Sequence, residues 1–158
     1  MNQYLWNMQS ALLEAEKAYS QDEVPVGAVV VDEAGKVLSM AHNQKEKAHN
    51  PCGHAEILAI QEACKKEEDW RLNGCTLFVT LEPCTMCMGA IIQARIKTVI
   101  FGAYDQKGGA ISLGFNIHQN NKLNHQVQIM GGVRHFECSK ILSDFFRLRR
   151  GQYAQTQF

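Results

Sequence analysis

Two short stretches of the sequence combine residue types that hold a metal ion and move a proton. His54 and Glu56 stand two residues apart in "HAE", and Cys84 and Cys87 stand three apart in "PCTMC". A C-x-x-C spacing puts two sulfur atoms on the same side of a first helical turn, and zinc favours thiolate and imidazole ligands. These residues predict a zinc centre with a carboxylate beside it.

No second C-x-x-C motif completes a structural four-cysteine site. The other cysteines are isolated: Cys52, Cys64, Cys75 and Cys138. We therefore predict His54 as the third ligand beside Cys84 and Cys87. Three protein ligands leave the fourth tetrahedral position for a water molecule, whose pKa zinc lowers toward neutrality, and this is the arrangement of catalytic zinc sites. In this prediction Glu56 is the general base and not a ligand.

Each half of the pattern also has a simpler interpretation. A lone C-x-x-C is as typical of a redox pair or of two packed thiols as it is of a metal site. A glutamate in the first turn of a helix can merely complement the helix dipole. The coincidence of both halves favours metal and catalysis. Cys52 stands two residues before His54, so a fourth, inhibitory zinc ligand is an alternative to the packing role that we favour for it.

These side chains must be brought together by the helices and strands that the hydrophobic pattern predicts. An amphipathic helix comes first, and β-branched runs around the turn "EAG" predict a hairpin. Helices that open near His54 and Pro83 then alternate with strands in "CTLFVT", "KTVIFGA" and, more weakly, "HQVQIM". Alternation of this kind implies parallel pairing with crossover helices. We predict one α/β domain over residues 1–158, with a mixed sheet.

The two halves of the proposed site both fall at helix beginnings. Pro83 suits the start of a helix and pushes Glu82 toward extended backbone, so the cysteines should lie at the mouth of the helix. Unpaired N–H groups and the positive end of the dipole favour thiolate there. His54 also begins a helix after a strand. We expect it at the same end of the sheet.

A basic segment lies near the end of a chain that is otherwise neutral. Lys plus Arg and Asp plus Glu are equal at 16 each, so any site for a polyanion must be regional. We predict a last helix at about residues 136–153 with one buried stripe, formed by Cys138, Ile141, Leu142, Phe145 and Leu148.

A second face of that helix combines aromatic rings with cations. Phe146, Arg149, Arg150 and Tyr153 fall at i, i+3, i+4 and i+7. Aromatic rings interleaved with arginines suit single-stranded RNA, although arginines also simply favour a helix C-terminus. We predict Phe146, Arg149 and Arg150 as RNA contacts.

The chain has no pattern of export or membrane insertion. Its N-terminus lacks a cationic region followed by a continuous apolar core, and no later segment is long and apolar enough to span a bilayer. Six cysteines without an export signal indicate a reducing compartment. We expect a cytoplasmic protein with no membrane partner.

The pair "HAE" and "PCTMC" is similar to the signature of the zinc-dependent nucleoside and base deaminases, H-x-E followed by P-C-x-x-C. Over nearly the whole chain the sequence resembles the bacterial tRNA-specific adenosine deaminases. The stretches that carry this wider resemblance are "EVPVGAVVV", "HNQ", "TLEPCTMC", "FGAYD", "LNHQVQI" and "ILSDFFRLRR".

The resemblance implies a fold, an activity and partners. The fold is a cytidine deaminase-like, three-layer α/β/α arrangement with a five-stranded sheet. The activity is hydrolysis of adenosine to inosine at the wobble position of an arginine tRNA, with one zinc ion per subunit of a homodimer that binds the anticodon loop. Asn43 would read the base, and Asp105 and Lys107 would meet RNA. The loop "GGAISLGF" departs from the family's usual Gly-Ser-Leu order.

Two other functions use some of the same residues. A guanine or cytosine deaminase acting on free bases would need the same metal ligands, although the basic aromatic segment argues for a polymeric substrate. A non-catalytic zinc module that binds RNA would explain the cysteines and that segment. It would leave Glu56 without a role and the fourth coordination position unused.

Overall fold

Helices cover both faces of a single five-stranded sheet. The computed structural model describes residues 2–155, with side chains as far as residue 152. The helices are α1 (Gln3–Ser20), α2 (Ala55–Glu67), α3 (Thr85–Gln93) and α4 (His135–Gln155), and a short 3-10 helix spans Ile117–Gln119. The strands are β1 (Gly27–Val31), β2 (Val37–His42), β3 (Thr76–Leu81), β4 (Thr98–Ala103) and β5 (Gln128–Met130).

The sheet is mixed, with the strand order β2-β1-β3-β4-β5. Strand β1 pairs antiparallel with both β2 and β3, whereas β3, β4 and β5 are parallel to one another. Because β2 and β3 are both antiparallel to β1, they run in the same direction as each other. The carboxyl ends of these two strands therefore lie at one edge of the sheet. The predicted three-layer α/β/α fold with a mixed five-stranded sheet is confirmed.

Strand β1 is buried along its whole length because both faces of the sheet are covered. Its alternate residues enter two separate cores. Ala28 and Val30 belong to the core under α2 and α3, and Val29 belongs to the core with Met8 of α1 and Cys138 of α4. Strand β1 thus contacts both layers of helices.

Gly27 permits a close approach between α1 and the sheet. A β carbon at this position would lie 2.0 Å from the carbonyl oxygen of Ala11 and 2.6 Å from the backbone nitrogen of Ala15. Any side chain would therefore push α1 away from β1. This contact fixes the end of β1 nearest the cavity described below.

Leu148 was predicted to be buried, and this prediction is wrong because 58% of its surface is exposed. The buried stripe of α4 ends at Phe145. Helix α4 packs against α1, β3 and β4. One turn beyond Phe145, however, Arg149 bonds to Asp22, which lies beyond the end of α1. The apolar periodicity therefore continues past the surface that α1 covers.

Within residues 2–155, no helix combines the length and the apolar character needed to cross a membrane.

Candidate active site

Two helices begin at the same edge of the sheet, and the N-cap residue of each carries a potential metal ligand. His54 is the N-cap of α2 and Cys84 is the N-cap of α3. Both have extended backbones, and neither side chain forms a capping hydrogen bond. An N-cap side chain normally bonds to its own helix. Here the imidazole and the thiol meet each other instead.

The separations among the three predicted ligands fit a tetrahedral zinc site. The Nδ1 atom of His54 lies 3.6 Å from the Sγ atom of Cys84 and 3.5 Å from the Sγ atom of Cys87. A nitrogen and a sulfur that share one tetrahedral zinc ion stand about 3.6 Å apart, given the usual bond lengths of each. The residues His54, Cys84 and Cys87 could therefore hold a zinc ion. Among the described residues this metal-binding group does not include Cys52, which is exposed.

The protonation of the two thiols also suits a cation. Hydrogen bonds from Cys87 and from His54 outweigh burial and lower the pKa of Cys84 to about 4. The hydrogen bond to Cys84, together with burial, raises the pKa of Cys87, so the pair retains a proton there. A bound divalent cation would replace that proton, because metal binding requires deprotonated thiols.

Glu56 lies in the first turn of α2 and is buried, with 4% of its surface exposed. Burial raises the pKa of Glu56 to about 7, against the opposing effects of a backbone hydrogen bond and of the charge of His54. A carboxyl group with a pKa near neutrality can both accept and release a proton at the pH of a cell. The structure therefore places a carboxyl group that titrates near neutrality beside the three potential ligands.

A cavity of about 280 Å³ opens onto these residues. His54, Glu56 and Cys84 form part of its lining. Apolar walls come from Val24, Val26 and Leu81, and polar walls from Asn43, Lys45, Glu82, Asp105 and Gly108. An apolar cavity with a few convergent polar groups is typical of a small-molecule or nucleobase site.

Asn43 is buried at the side of this cavity, directly after β2. Its Nδ2 atom donates to the carbonyl oxygen of Val24, and its Oδ1 atom accepts the backbone N–H of Lys45. A carboxamide has two N–H donors and two acceptor lone pairs. These two bonds fix the side chain and still leave one donor and one acceptor for a base.

Asp105 and Lys107 belong to the loop after β4, and their positions differ. Asp105 lines the cavity, but its Oδ1 atom accepts the backbone N–H groups of Lys107 and Gly108. That carboxylate therefore closes a tight turn. Lys107 is exposed and is not among the residues of the cavity wall.

The predicted RNA-binding residues of α4 are placed outside the cavity. Arg149 donates to the backbone oxygen of Asp22 and lies 4.9 Å above the ring of Phe145, whereas Phe146 and Arg150 are exposed. A neighbouring surface cleft brings Arg149 close to Glu46 and Lys47, in the loop that follows Asn43. The side chain of Tyr153 lies outside the described residues.

Sequence reasoning missed three charged residues near the cavity. Lys45 forms part of its wall, while Glu23 and Glu82 are almost fully buried and bond to its surrounding loops. For the two glutamates a signal was available: Glu82 directly follows an apolar strand sequence, and Glu23 directly precedes one. Burial of such a residue is uncommon unless its charge is satisfied.

The fold and the site are those of a deaminase with the H-x-E and P-C-x-x-C arrangement. The superfamily of such deaminases is zinc-dependent in general. The sequence matches the MafB19-like deaminase family over residues 1–150. It is 47% identical over 140 residues to a tRNA-specific adenosine deaminase of Bacillus subtilis strain 168, covering 89% of this chain and 86% of that protein. The chain belongs to the family of tRNA-specific adenosine deaminases.

Solved structures agree with this assignment. One, from a study of A-to-I editing by tRNA:A34 deaminases at the wobble position, superposes with a TM-score of 0.82 and 40% identity, over 87% of this chain and 99% of the other. A guanine deaminase of Bacillus subtilis superposes with a TM-score of 0.63 and 33% identity, over 73% of this chain and 71% of the other. The similarity to the tRNA-editing enzyme is thus greater in both measures.

Proposed function

We propose that the protein hydrolyses adenosine to inosine at position 34 of a tRNA, the wobble position, and releases ammonia. The observation that carries the proposal is the convergence of His54, Cys84 and Cys87 on one point beside the buried carboxyl group of Glu56. Family membership supplies the substrate, since the relatives are named for tRNA adenosine and for A34. A free-base deaminase is the less favoured alternative.

The resident cofactor in this proposal is one zinc ion per subunit, held by His54 Nδ1 and by the sulfur atoms of Cys84 and Cys87. Bound there, zinc supplies a Lewis acid that makes a water molecule nucleophilic at neutral pH. The fit rests on the separations of 3.5 and 3.6 Å and on a donor set that zinc prefers.

The chain's own residues move the proton and hold the base. Glu56 takes one proton of the attacking water and delivers it to the ring nitrogen of adenine; it then takes the remaining hydroxyl proton and passes it to the amino group, which leaves as ammonia. Its burial suits this exchange because the carboxyl group titrates near neutral pH. Asn43 uses its remaining donor and acceptor to read the edge of adenine, and Val24 and Leu81 exclude solvent around it.

The RNA partner is the anticodon loop, of an arginine tRNA in this proposal, with the target nucleotide turned out of its stack into the cavity. Arg149 adjoins the loop that continues from the cavity wall. Phe146 and Arg150 are exposed on the same helix, so a ring and a cation are available to neighbouring nucleotides. Lys107 offers a further cation from the loop of Asp105.

We also propose a homodimer of one catalytic domain per chain, in the cytoplasm. Leu113, Phe115 and Ile117 have exposed apolar side chains, and Ile117 begins the 3-10 helix that packs against α3. A second copy could cover such side chains. A cytoplasmic location suits a tRNA substrate and thiols that must stay reduced.

One incubation series tests the function. The zinc-loaded protein is mixed separately with a tRNA stem-loop containing A34, a stem-loop with G34, guanine, cytosine and free adenosine, and ammonia is measured. The proposal predicts release from the A34 stem-loop alone, with inosine appearing in equal amount. Release from guanine or cytosine would instead identify a free-base deaminase, and stem-loop binding without ammonia would identify a non-catalytic RNA-binding module.

A further inference from the structure

Two buried carboxylates lie beside the substrate cavity and have no role in the chemistry described above. Glu23 is 1% exposed, immediately before the strand region that leads into β1, and Glu82 is 2% exposed, immediately after β3. Burying a carboxylate is costly unless its oxygens are satisfied. The partners of these two residues therefore indicate what they do.

Glu82 bonds to the loop that follows β4. Its Oε2 atom accepts the backbone N–H of Asp105 at 3.0 Å and the hydroxyl of Ser112 at 2.6 Å, and its Oε1 atom accepts the backbone N–H of Ser112 at 2.7 Å. One side chain thus holds both ends of the segment 105–112. That segment includes Asp105 and Gly108 of the cavity wall.

The loop wraps closely around this carboxylate. A β carbon at Gly109 would lie 2.3 Å from the carboxyl carbon of Glu82, so no larger residue fits there without moving it. The same segment forms a bridge between Gly109 and Cys84, and Ala110 donates its N–H to the carbonyl oxygen of Pro83. The cavity wall is therefore attached to the turn that carries the cysteine ligands.

Glu23 makes the corresponding contacts on the loop that follows β2. Its Oε1 atom accepts the backbone N–H of Lys47 at 2.6 Å, and its Oε2 atom accepts the backbone N–H of Glu46 at 3.1 Å. That loop begins with Asn43 and Lys45, which line the cavity. Each of the two loops that contribute polar residues to the cavity wall thus donates backbone N–H groups to a buried glutamate.

We propose that Glu23 and Glu82 are positioning residues that hold two polar walls of the substrate cavity in place before RNA binds. They act through Asn43 and Lys45 on one loop and through Asp105 and Gly108 on the other. A carboxylate suits this task because it only accepts hydrogen bonds and all the groups around it donate. Glutamine at either position would turn an N–H toward another donor. This inference rests on the proposed function.

Three variants disturb the contact between Glu82 and the loop: Glu82→Gln changes the acceptor, and Ser112→Ala and Gly109→Ala change the loop. Each should raise the KM for the A34 stem-loop, by about tenfold for Glu82→Gln, because a displaced wall no longer holds the base. Zinc content of each should stay close to that of the wild type, whereas the melting temperature of Glu82→Gln should fall by a few degrees, because an N–H then faces a donor inside the protein. The variant Glu62→Gln, on the exposed face of α2, is the matched control and should leave KM unchanged.

A double-mutant cycle tests the pairing itself. Glu82→Gln combined with Ser112→Ala should raise KM by less than the product of the single effects, because both changes remove the same hydrogen bond. Glu23→Gln should also raise KM, and its effect should multiply with that of Glu82→Gln because the two loops are separate.

A merely structural role would show differently. Zinc loss and a lower kcat at unchanged KM in all the Glu82, Gly109 and Ser112 variants would overturn the inference, as would wild-type KM in Gly109→Ala and Ser112→Ala. If Glu82→Gln fails to fold, those two variants decide the result alone. Failure of the proposed function is distinguishable, since the wild-type protein itself would then release no ammonia from the stem-loop.

Discussion

The Nδ1 atom of His54 lies 3.6 Å from the Sγ atom of Cys84, although thirty residues separate them in the chain. Each is the N-cap residue of its helix, and neither caps that helix with its side chain. The contact exists because β2 and β3 run in the same direction, so that α2 and α3, which follow them, begin at the same edge of the sheet. The catalytic proposal depends on this relationship.

Replacing Glu56 should separate catalysis from metal binding. We expect Glu56→Gln to retain about one zinc ion per subunit, because the three proposed ligands are other residues. Its rate of inosine formation should fall by about 10²–10⁴-fold, the usual contribution of a positioned acid or base. Glu62→Gln on the same helix is the control for both measurements. A Glu56→Gln protein with ordinary turnover would refute the role of this carboxylate.

Replacing a ligand should remove the metal. We expect Cys84→Ala to lose both zinc, measured by elemental analysis, and activity, because two remaining ligands bind the ion poorly. A chelator should inactivate the wild type, and added zinc should restore it. Cys52→Ser should retain zinc and activity, since this cysteine is exposed and outside the ligand group. Zinc loss in Cys52→Ser would show that Cys52 is a ligand after all.

The two arginines of α4 should differ in their effects. Arg150 is exposed, so Arg150→Ala should weaken stem-loop binding and reduce the slope of log affinity against log salt by about one, with no change in thermal stability. Arg149 bonds to Asp22 and stacks on Phe145, so Arg149→Ala should also lower the melting temperature by a few degrees. Salt titrations and thermal melts provide the measurements. Binding that is unchanged in both variants would place the RNA elsewhere.

Glu14 should make the fold sensitive to acid. Burial raises the pKa of this carboxyl group, but hydrogen bonds from Lys17 and His42 outweigh it, and the net pKa lies below the ordinary glutamate value. A lowered folded-state pKa stabilises the fold above the unfolded-state pKa of about 4.3, and this stabilisation is lost as the pH falls through the folded value.

The comparison with Glu14→Gln measures this effect. The difference in unfolding free energy between the two proteins should be fully present at pH 5 to 6 and should shrink progressively below about pH 4.3. Glu16→Gln, at an exposed position on the same helix, should show no such dependence. A wild-type advantage that persisted unchanged at pH 3 would contradict the assigned effect of Lys17 and His42 on Glu14.

The sequence by itself determined the element types and predicted the reactive residues. Apolar periodicity predicted the helices, strands and mixed sheet, because a side chain's burial follows from the repeat of its element. The spacing of Cys84 and Cys87, together with the paired His54 and Glu56, predicted the chemistry of the site. Leu148 was assigned to the core wrongly, since periodicity does not show where the neighbouring helix ends.

Only the tertiary structure decided which distant groups meet. The roles of Glu23 and Glu82 depend on backbone N–H groups 23 to 30 residues away, and the sequence carries no signal for such donors. Arg149 likewise finds its partner, Asp22, across 127 residues. Local propensity fixes short-range geometry, whereas contacts between loops follow from strand direction and helix packing, which arise only when the whole chain has folded.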